Sequence, residues 1–291
     1  MENKIKKIAK IFNRNKYILG NMNWKATKNQ INLNWYARNI GNSECINENL
    51  GDYLSVPIYE YMLKRFCLDR NIILKKTVHL YCVGSIINMG YQDAVIWGSG
   101  LMSQEQVGKK WLSKYYRKLD IRCVRGPETA RRLSENGYDV SKCVYGDPAV
   151  LMPLIYTPNN KKEKRKYSVI IHKDFDSEVI SDNKINIITS DWKQTIDEIY
   201  NSELIISSSL HGIILAEAYG IPAIMLNKIV EKDIFKYNDY YYSTGRMEYI
   251  RADTVEEALK IPVPDVPDLS NMQNDLIKSF PVDLWRNNEI N

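Results

Sequence analysis

One segment of the chain concentrates the residue types that bind anions and move protons. Between Glu203 and Pro222, an apolar stretch leads into three serines and then into Leu210-His211-Gly212. This order predicts a strand, a turn and the first turn of a helix. Helix N-termini present unpaired N–H groups and the positive end of the helix dipole, so they bind phosphate and carboxylate groups. His211 could donate a hydrogen bond or transfer a proton there, although a core histidine beside a serine-rich turn would show the same pattern.

Two further charged residues stand beside predicted helix starts. Arg125 ends a strand just before Pro127 begins a helix, and from this position a guanidinium can bind a carboxylate or a phosphate. Asp52 lies in or next to the first turn of an earlier helix, three residues after Asn49. The alternatives are a surface ion pair of Arg125 with Glu128 and simple helix capping by the acid.

Small residues and missing motifs limit the possible cofactors. Gly98, Ser99 and Gly100 follow a predicted strand and would let a ligand approach the backbone closely. The chain lacks the complete Gly-x-Gly-x-x-Gly dinucleotide fingerprint, the phosphate-binding P-loop and the Gly-x-Ser-x-Gly nucleophile elbow. Nicotinamide dehydrogenases and P-loop hydrolases are therefore disfavoured.

Histidine and cysteine usage narrows the chemistry further. The three histidines are His79, His172 and His211. His172 ends a predicted strand and could face a ligand, whereas His79 lies within an apolar strand and is expected to be structural. The five cysteines are widely spaced, without a Cys-x-x-Cys pair or a nearby histidine. This spacing indicates free thiols in a reducing compartment and predicts no metal site.

Alternating strand and helix patterns provide the scaffold for these residues and predict an α/β fold with parallel sheets. In the first half, the pattern predicts helices over 50–66, 104–117 and 127–136 and strands over 77–83, 93–97 and 121–124. In the second half, it predicts strands over 167–172, 185–189, 203–207 and 222–226 and helices over 191–201 and 210–219.

A turn-rich and basic stretch from Pro158 to Lys166 predicts a linker. We therefore expect an N-terminal domain over residues 1–157 that contributes Asp52 and Arg125, and a C-terminal domain over 158–291 that contributes His211. Whether the last helix returns to the N-terminal domain stays open. Ligands of such folds bind between domains, near the carboxyl ends of the strands.

The excess of positive charge is concentrated in two short segments. The net charge is +5, but residues 1–16 carry +5 and residues 161–166 carry +4, so the remainder sums to −4. Nucleic-acid binding requires basic residues spread over a surface, so this distribution argues against it.

The N-terminal segment has no apolar core or cleavage site typical of a secretion signal, which predicts a cytoplasmic protein. Ile5, Ile8, Ile11 and Phe12 would share one helical face, with lysines around it. Such a helix could lie peripherally on an anionic membrane or dock on its own domain, and the sequence favours neither.

Several motifs follow one another in a distinctive order. They are Asn49-Leu-Gly-Asp52, Trp97-Gly-Ser-Gly100, Val124-Arg-Gly-Pro-Glu-Thr129, Tyr145-Gly-Asp-Pro-Ala149, Ser208-Ser-Leu-His-Gly212, Ile221-Pro222 and Lys236-Tyr-Asn-Asp-Tyr-Tyr241. Together they resemble the polysaccharide pyruvyl transferase family over residues 45 to 250. The combination is far more specific than any one motif.

The resemblance implies two Rossmann-like domains in a GT-B-like arrangement, with the active site in the interdomain cleft. The N-terminal domain would hold the acceptor and the C-terminal domain the donor. The implied reaction moves the pyruvyl group of phosphoenolpyruvate to a sugar of a surface polysaccharide, such as an exopolysaccharide or capsule, or of its lipid-linked precursor. The products are a pyruvate ketal and phosphate, and the reaction needs no metal or redox cofactor.

The same resemblance implies roles for individual residues. His211 would be the catalytic acid, and Asp52 a base or a ligand of the sugar hydroxyls. The donor would be bound by Arg125, Ser208, Ser209, Leu210, His211, Gly212 and Lys236. The acceptor or the cleft would involve Asn49, Gly98, Ser99, His172, Lys173 and Tyr241.

One departure from the family pattern keeps two other functions open. Several members have an arginine directly before Leu-His, where this chain has Ser209, so one cationic contact to the donor is absent. Lys236 or Lys173 could compensate for it. The alternatives are a GT-B-like glycosyltransferase that uses a nucleotide sugar and a non-catalytic saccharide-binding relative.

Overall fold

Two parallel β-sheets form the framework of the part of the chain that the structure describes, as the alternating pattern predicts. The first has five strands in chain order, which are β1 (Ile31–Asn34), β2 (Val78–Tyr81), β3 (Ala94–Trp97), β4 (Leu119–Val124) and β5 (Val144–Tyr145). The second has four, also in chain order, which are β6 (Ser168–Ile170), β7 (Ile205–Ser207), β8 (Ala223–Leu226) and β9 (Arg251–Ala252). All neighbouring strands run parallel.

A computed structural model describes residues 28–35, 49–89, 92–103, 114–159, 163–172, 183–189, 191–227 and 234–286. The basic N-terminal segment, most of the helix predicted over 104–117, Lys161, Lys162 and Lys173 lie outside these ranges. The division into domains at residues 157 and 158 stays a prediction.

The α-helices of the described ranges connect the strands or flank the sheets. They are α1 (Leu50–Tyr53), α2 (Ser55–Arg65), α3 (Pro127–Glu135), α4 (Trp192–Tyr200), α5 (Leu210–Ala218), α6 (Ile234–Ser243), α7 (Val255–Ala258), α8 (Ser270–Ser279) and α9 (Asp283–Arg286). Two 3-10 helices span Ile87–Met89 and Pro148–Leu154. Asp191 caps α4 by accepting a hydrogen bond from the Gln194 N–H, which confirms the predicted start of that helix.

The prediction of one helix over 50–66 is wrong at Leu54, where a turn separates α1 from α2. Pro57 explains the interruption. Proline has no N–H to donate to the carbonyl of Tyr53, four residues earlier, and its ring crowds that carbonyl. Helical bonding resumes with the Ile58 N–H on the Leu54 carbonyl at 3.2 Å. The break leaves α1 as a short element at the beginning of the helical pair.

The prediction of a strand over 185–189 is also wrong. Isolated bridges at Lys184 and Ile188 replace a ladder. The Asn186 side chain accepts a hydrogen bond from the Ile188 N–H at 2.8 Å, a local bond that competes with strand pairing. The segment instead approaches α1, because the Ile187 carbonyl accepts a bond from the Leu50 N–H at 2.9 Å.

Buried apolar side chains near both sheets belong to one continuous cluster. Leu80 and Trp97 come from the first sheet, and Ile170 and Met225 come from the second. Helix α8 closes the first sheet, since the Trp97 indole donates to the Leu276 carbonyl at 3.0 Å. Phe280, just after α8, packs edge-on against Trp97 with ring centroids 4.9 Å apart. This packing fixes the strand ends from which the candidate site residues project.

Candidate active site

Hydrogen bonds of Ser207, Ser208 and Ser209 fix the turn between β7 and α5. The Ser207 hydroxyl accepts a bond from the Ser209 N–H at 3.0 Å and donates to the Ser209 carbonyl at 2.9 Å. The Ser208 hydroxyl accepts a bond from the His172 N–H at 2.8 Å. Ser208 is buried, and its carbonyl accepts from the Tyr237 hydroxyl at 2.6 Å. These bonds fix the backbone on which α5 begins.

The first turn of α5 presents the backbone N–H groups that sequence reasoning assigned to an anion. Ser209 is the N-cap residue, and its side chain makes no capping hydrogen bond. Leu210 is buried in the core. Gly212 permits close packing on the preceding strand, because a Cβ atom there would lie 2.5 Å from the Ser207 hydroxyl oxygen.

The His211 imidazole lies between α1 and the 3-10 helix Pro148–Leu154. A Cβ atom at Gly51 would be only 1.9 Å from His211 Nδ1, so the absence of a side chain at position 51 makes room for the ring. On the other side, Nε2 lies 3.7 Å from Asp147 Oδ2. Three sequence motifs therefore meet at this histidine.

Asp52 lies on α1 next to the same place. It is largely buried, and its Oδ2 accepts a hydrogen bond from Asn49 Nδ2 at 2.7 Å. A Cβ atom at Gly84, which has φ of +105°, would lie 2.5 Å from Asp52 Oδ1. The side chain of Asn49, the N-cap residue of α1, makes no capping bond and binds Asp52 instead.

The Arg125 guanidinium is buried, and each of its nitrogens has a partner. Nε donates to Asp239 Oδ2 at 3.0 Å, one terminal nitrogen donates to the Ser85 hydroxyl at 2.7 Å, and the other donates to the Leu101 carbonyl. A Cβ atom at Gly100 would lie 2.5 Å from Arg125 Cζ, so the Trp-Gly-Ser-Gly motif packs directly on the guanidinium. The alternative of a surface ion pair between Arg125 and Glu128 is therefore wrong. Direct contact with a ligand would require Arg125 to exchange one of these partners.

Helix α6 carries two of the predicted residues. Lys236 is largely buried, with its ammonium 5.3 Å from the centre of the Tyr237 ring. Tyr241 is buried and stacks on Tyr249 with centroids 3.8 Å apart. Arg246 lies 4.6 Å from the Tyr241 ring centre and binds Glu217 of α5 through two hydrogen bonds of 2.7 Å. Helices α5 and α6 are thus fastened together.

The remaining predicted residues are mainly structural in their contacts. Gly98 has φ of +94°, and a Cβ atom there would lie 2.1 Å from Pro148 Cγ. The buried Ser99 hydroxyl donates to the Gly84 carbonyl at 2.7 Å. His172 is half-buried beside the α5 turn. His79 is buried in β2, as expected for a structural residue. Burial is the main cause that lowers its pKa, and the nearby Arg117 charge lowers it further.

The described residues contain no group of three or more His, Cys, Asp or Glu side chains arranged to hold a metal ion. Within the same ranges, no helix combines the length and the apolar character needed to cross a bilayer.

A family model for polysaccharide pyruvyl transferase matches residues 49–227, which include His211, Asp52, Arg125 and Asp147. The chain belongs to the polysaccharide pyruvyl transferase family. The match starts at Asn49 and ends just after β8, so it covers all of the contacts around His211 described above.

Two curated proteins are similar to this family member. An uncharacterized protein of Acanthamoeba polyphaga mimivirus is 30% identical over 179 residues, a match that spans 56% of this chain and 58% of the viral protein. The succinoglycan biosynthesis protein ExoV of Rhizobium meliloti is 26% identical over 267 residues, covering 78% of this chain and 77% of ExoV.

A solved structure shows the same fold. The crystal structure of an uncharacterized protein from Klebsiella pneumoniae superposes with a TM-score of 0.50 at 13% identity. The superposition covers 87% of this chain and 99% of the other.

Two acids at the site were missed by sequence reasoning as individual residues. Asp147 belongs to the Tyr-Gly-Asp-Pro-Ala motif, and Asp239 to the segment that begins at Lys236. The signal for Asp147 is an acid directly before Pro148, the arrangement of a helix N-cap followed by proline. No comparable local signal exists for Asp239, because its partner Arg125 is 114 residues away.

Proposed function

We propose that this chain transfers the pyruvyl group of phosphoenolpyruvate to a sugar of a surface polysaccharide or of its lipid-linked precursor. Membership of the family supports pyruvyl transfer, and the similarity to a succinoglycan biosynthesis protein supports a polysaccharide acceptor. The observation that carries the proposal is the meeting of His211 with Gly51 and Asp147, which joins three of the family motifs at one imidazole.

The donor has a phosphate and a carboxylate on a three-carbon skeleton, so its site must supply several converging donors. In our proposal, the N–H groups at the start of α5 bind one of these anionic groups. The side chain of the N-cap residue Ser209 accepts no hydrogen bond from these N–H groups, so it does not compete with an anion for them. Lys236 contributes positive charge from α6, which is tied to the same turn through the Tyr237 hydroxyl and the Ser208 carbonyl.

The chemistry needs one acid and one base. The methylene carbon of phosphoenolpyruvate takes up a proton, and a sugar hydroxyl then forms a bond to C2. A second hydroxyl forms the other C–O bond of the ketal as the C–O bond to phosphate breaks. His211 supplies the first proton, and Asp52, oriented by Asn49, accepts a hydroxyl proton. Two hydroxyl protons are released: one replaces the proton consumed at the methylene carbon, and the other leaves on the departing phosphate.

In the described arrangement, the contacts of Arg125 stabilise the elements that carry the site. Its contacts with Gly100, Ser85 and Asp239 hold the end of β4 against α6. A direct role in donor binding stays a prediction.

Protonation and addition of hydroxyl groups require no electron transfer, so we propose that the reaction uses no redox cofactor and no resident metal. Dialysis against a chelator should therefore leave the transfer rate unchanged. A rate that is lost with chelator and recovered with a divalent cation would contradict this part of the proposal.

The proposed reaction is cytoplasmic, and it is peripheral to the membrane if the acceptor is lipid-linked. Deletion of residues 1–12 should then reduce co-sedimentation with anionic vesicles while leaving transfer to a soluble glycoside intact. Unchanged co-sedimentation would remove the membrane role of this segment.

The decisive experiment supplies phosphoenolpyruvate together with lipid-linked or aryl glycosides. Release of phosphate in step with the mass gain of a pyruvate ketal on the sugar is the expected result. His211→Gln and Asp52→Asn should each lower turnover by about 100-fold or more, the usual contribution of a general acid or base. Arg131→Ala, on the exposed face of α3, is the matched control and should retain full activity.

Two outcomes would overturn the proposal. Turnover with a nucleotide sugar and none with phosphoenolpyruvate would identify a glycosyltransferase. Saccharide binding without any turnover across the panel would identify a binding protein.

A further inference from the structure

Asp147 has one carboxylate oxygen in use and one that faces the active site. Its Oδ1 accepts a hydrogen bond from the Ala149 N–H at 3.0 Å and so caps the 3-10 helix Pro148–Leu154. Its Oδ2 is buried and has no hydrogen-bond partner among the described residues. With the side chain only 1% exposed, solvent does not replace the missing partner.

His211 presents the complementary atom. Its Nε2 is also buried and also has no hydrogen-bond partner within the described ranges. The two atoms are 3.7 Å apart, slightly beyond a direct hydrogen bond. Catalytic hydrogen bonds are often long in ligand-free structures and shorten when substrate binds.

The surroundings favour a bond between these atoms over their separation. A buried polar group without a partner destabilises the fold, and a charged one does so more strongly. The Asp147 carboxylate lies close enough to act on two other titratable groups, the thiols of Cys82 and Cys123. Burial raises the pKa of each thiol, so both stay neutral and neither supplies positive charge. The imidazole of His211 can supply it.

We propose that Asp147 is a positioning residue whose Oδ2 accepts a hydrogen bond from Nε2–H of His211 and so fixes the tautomer and the orientation of the imidazole. Nδ1, which lies against Gly51, is then the nitrogen that exchanges a proton with the substrate. The part of this inference that concerns catalysis rests on the proposed function. The bond itself does not depend on it.

The proton balance of the step is simple. Nδ1–H gives its proton to the methylene carbon as that carbon's π electrons form the new C–H bond. The neutral imidazole later regains a proton released by a sugar hydroxyl, with Nε2–H still bonded to Asp147. The carboxylate remains ionised throughout and orients the imidazole, as in other acid–histidine pairs.

Asp147→Asn isolates this contact from the structural role of the residue. Asparagine caps helices about as well as aspartate, so its amide oxygen can keep the bond to the Ala149 N–H. The amide nitrogen then replaces Oδ2 and cannot accept a bond from His211. Asp191→Asn makes the same change at the exposed cap of α4 and serves as the matched control.

The first readout is the side-chain ¹⁵N NMR spectrum of the three histidines, which distinguishes a protonated ring nitrogen from an unprotonated one, with His211→Gln to assign the signal. In the neutral ring of the unmodified chain, the His211 proton should lie on Nε2, and Asp147→Asn should lose this preference because its amide nitrogen cannot accept the bond. The Asp191→Asn protein should show the same His211 tautomer as the unmodified chain. An unchanged tautomer in Asp147→Asn would overturn the inference.

The second readout is the steady-state rate of pyruvyl transfer. Asp147→Asn should lower kcat by about 100-fold with a smaller change in KM, because the acid is no longer held in position. Full kcat would also overturn the inference. If the unmodified chain shows no transfer from phosphoenolpyruvate, the proposed function fails, and the NMR spectrum alone then decides whether the bond exists.

A second variant covers the case in which Asp147→Asn fails to fold, as judged by circular dichroism. Asp147→Ser retains a capping oxygen without a carboxylate. It should show the same loss of the Nε2–H tautomer of His211, and a folded Asp147→Ser protein that keeps this tautomer would overturn the inference.

Discussion

Arg125 and Asp239 form a buried ion pair across 114 residues of sequence, with Nε and Oδ2 3.0 Å apart. Asp239 also accepts hydrogen bonds from the N–H and the hydroxyl of Thr129 at 2.9 and 2.6 Å. Burial raises the pKa of Asp239, and the Arg125 charge opposes that rise. The backbone of Asp239 leaves no room for a side chain at position 126, where a Cβ atom would lie 1.8 Å from its carbonyl oxygen. The pair therefore fastens α6 onto the start of α3.

Removal of one member of this pair should destabilise the protein strongly. Asp239→Ala leaves the guanidinium buried without a counter-charge, so the free energy of unfolding should fall by about 3–5 kcal/mol. Urea unfolding followed by circular dichroism measures the change.

Glu128→Ala is the matched control, because Glu128 pairs with Arg131 on the exposed side of α3. Loss of an exposed pair costs about 1 kcal/mol or less. Equal losses for the two variants would contradict the importance of the buried pair.

Gly51 is expected to be essential because it leaves space for His211. In Gly51→Ala, the new methyl group would have to displace the imidazole, since a Cβ atom at this position would lie 1.9 Å from Nδ1. Pyruvyl transfer should fall by about 100-fold or more, the contribution of a correctly placed acid. Steady-state kinetics with phosphoenolpyruvate measure the loss.

Gly245→Ala provides the contrast. Its φ of +80° strains an alanine, but no atom lies within 4 Å of the added carbon. This variant should lose about 1 kcal/mol of stability and keep its activity. Retained activity in Gly51→Ala would show that His211 can work from another position.

Local sequence patterns are sufficient to predict the strands that carry the site. They do not predict which distant residues contact one another. β2, β3 and β4 lie within or overlap the ranges expected from runs of apolar and β-branched residues. The pairing of Arg125 with Asp239 could not be predicted, because neither flanking sequence specifies a residue 114 positions away. The motif that contains Asp147 was recognised, but its contact with His211 required the packing of α5 against the 3-10 helix.

The wrong predictions also have local physical causes. The apolar spacing over 50–66 predicts one helix. This spacing takes no account of Pro57, which has no N–H to continue the helical hydrogen bonds. The apolar spacing of 185–189 favoured a strand, whereas the Asn186 side chain bonds to the backbone two residues later. In both segments a single side chain overrode the periodic signal.

Thiol reactivity should separate the described cysteines by burial. Cys67 is exposed, whereas Cys82 and Cys123 are buried. Burial raises the pKa of Cys143 to about 11, which leaves little thiolate at pH 8. In a Cys45→Ser background, Ellman's reagent should therefore modify one thiol rapidly, and urea should release the other three.

The variant that checks this assignment is Cys67→Ser in the same background, which should lose the rapid phase entirely. A second rapidly reacting thiol in the folded protein would contradict the burial of Cys82 and Cys123. Cys67 is not among the contacts described around His211, so Cys67→Ser should show the same transfer activity as its Cys45→Ser background.

His79 should make the protein less stable in mild acid. Burial, and secondarily the Arg117 charge, lowers its pKa in the folded state, whereas the unfolded chain keeps a value near 6.5. Between these two pKa values the unfolded state binds more protons, so the free energy of unfolding falls as the pH decreases below about 6.5. His79→Gln cannot take up this proton. Relative to their values at pH 8, the stability of the unmodified chain should therefore fall more steeply towards pH 5 than that of the variant. Urea unfolding across this pH range measures both slopes, and parallel curves would show that His79 is not the group responsible.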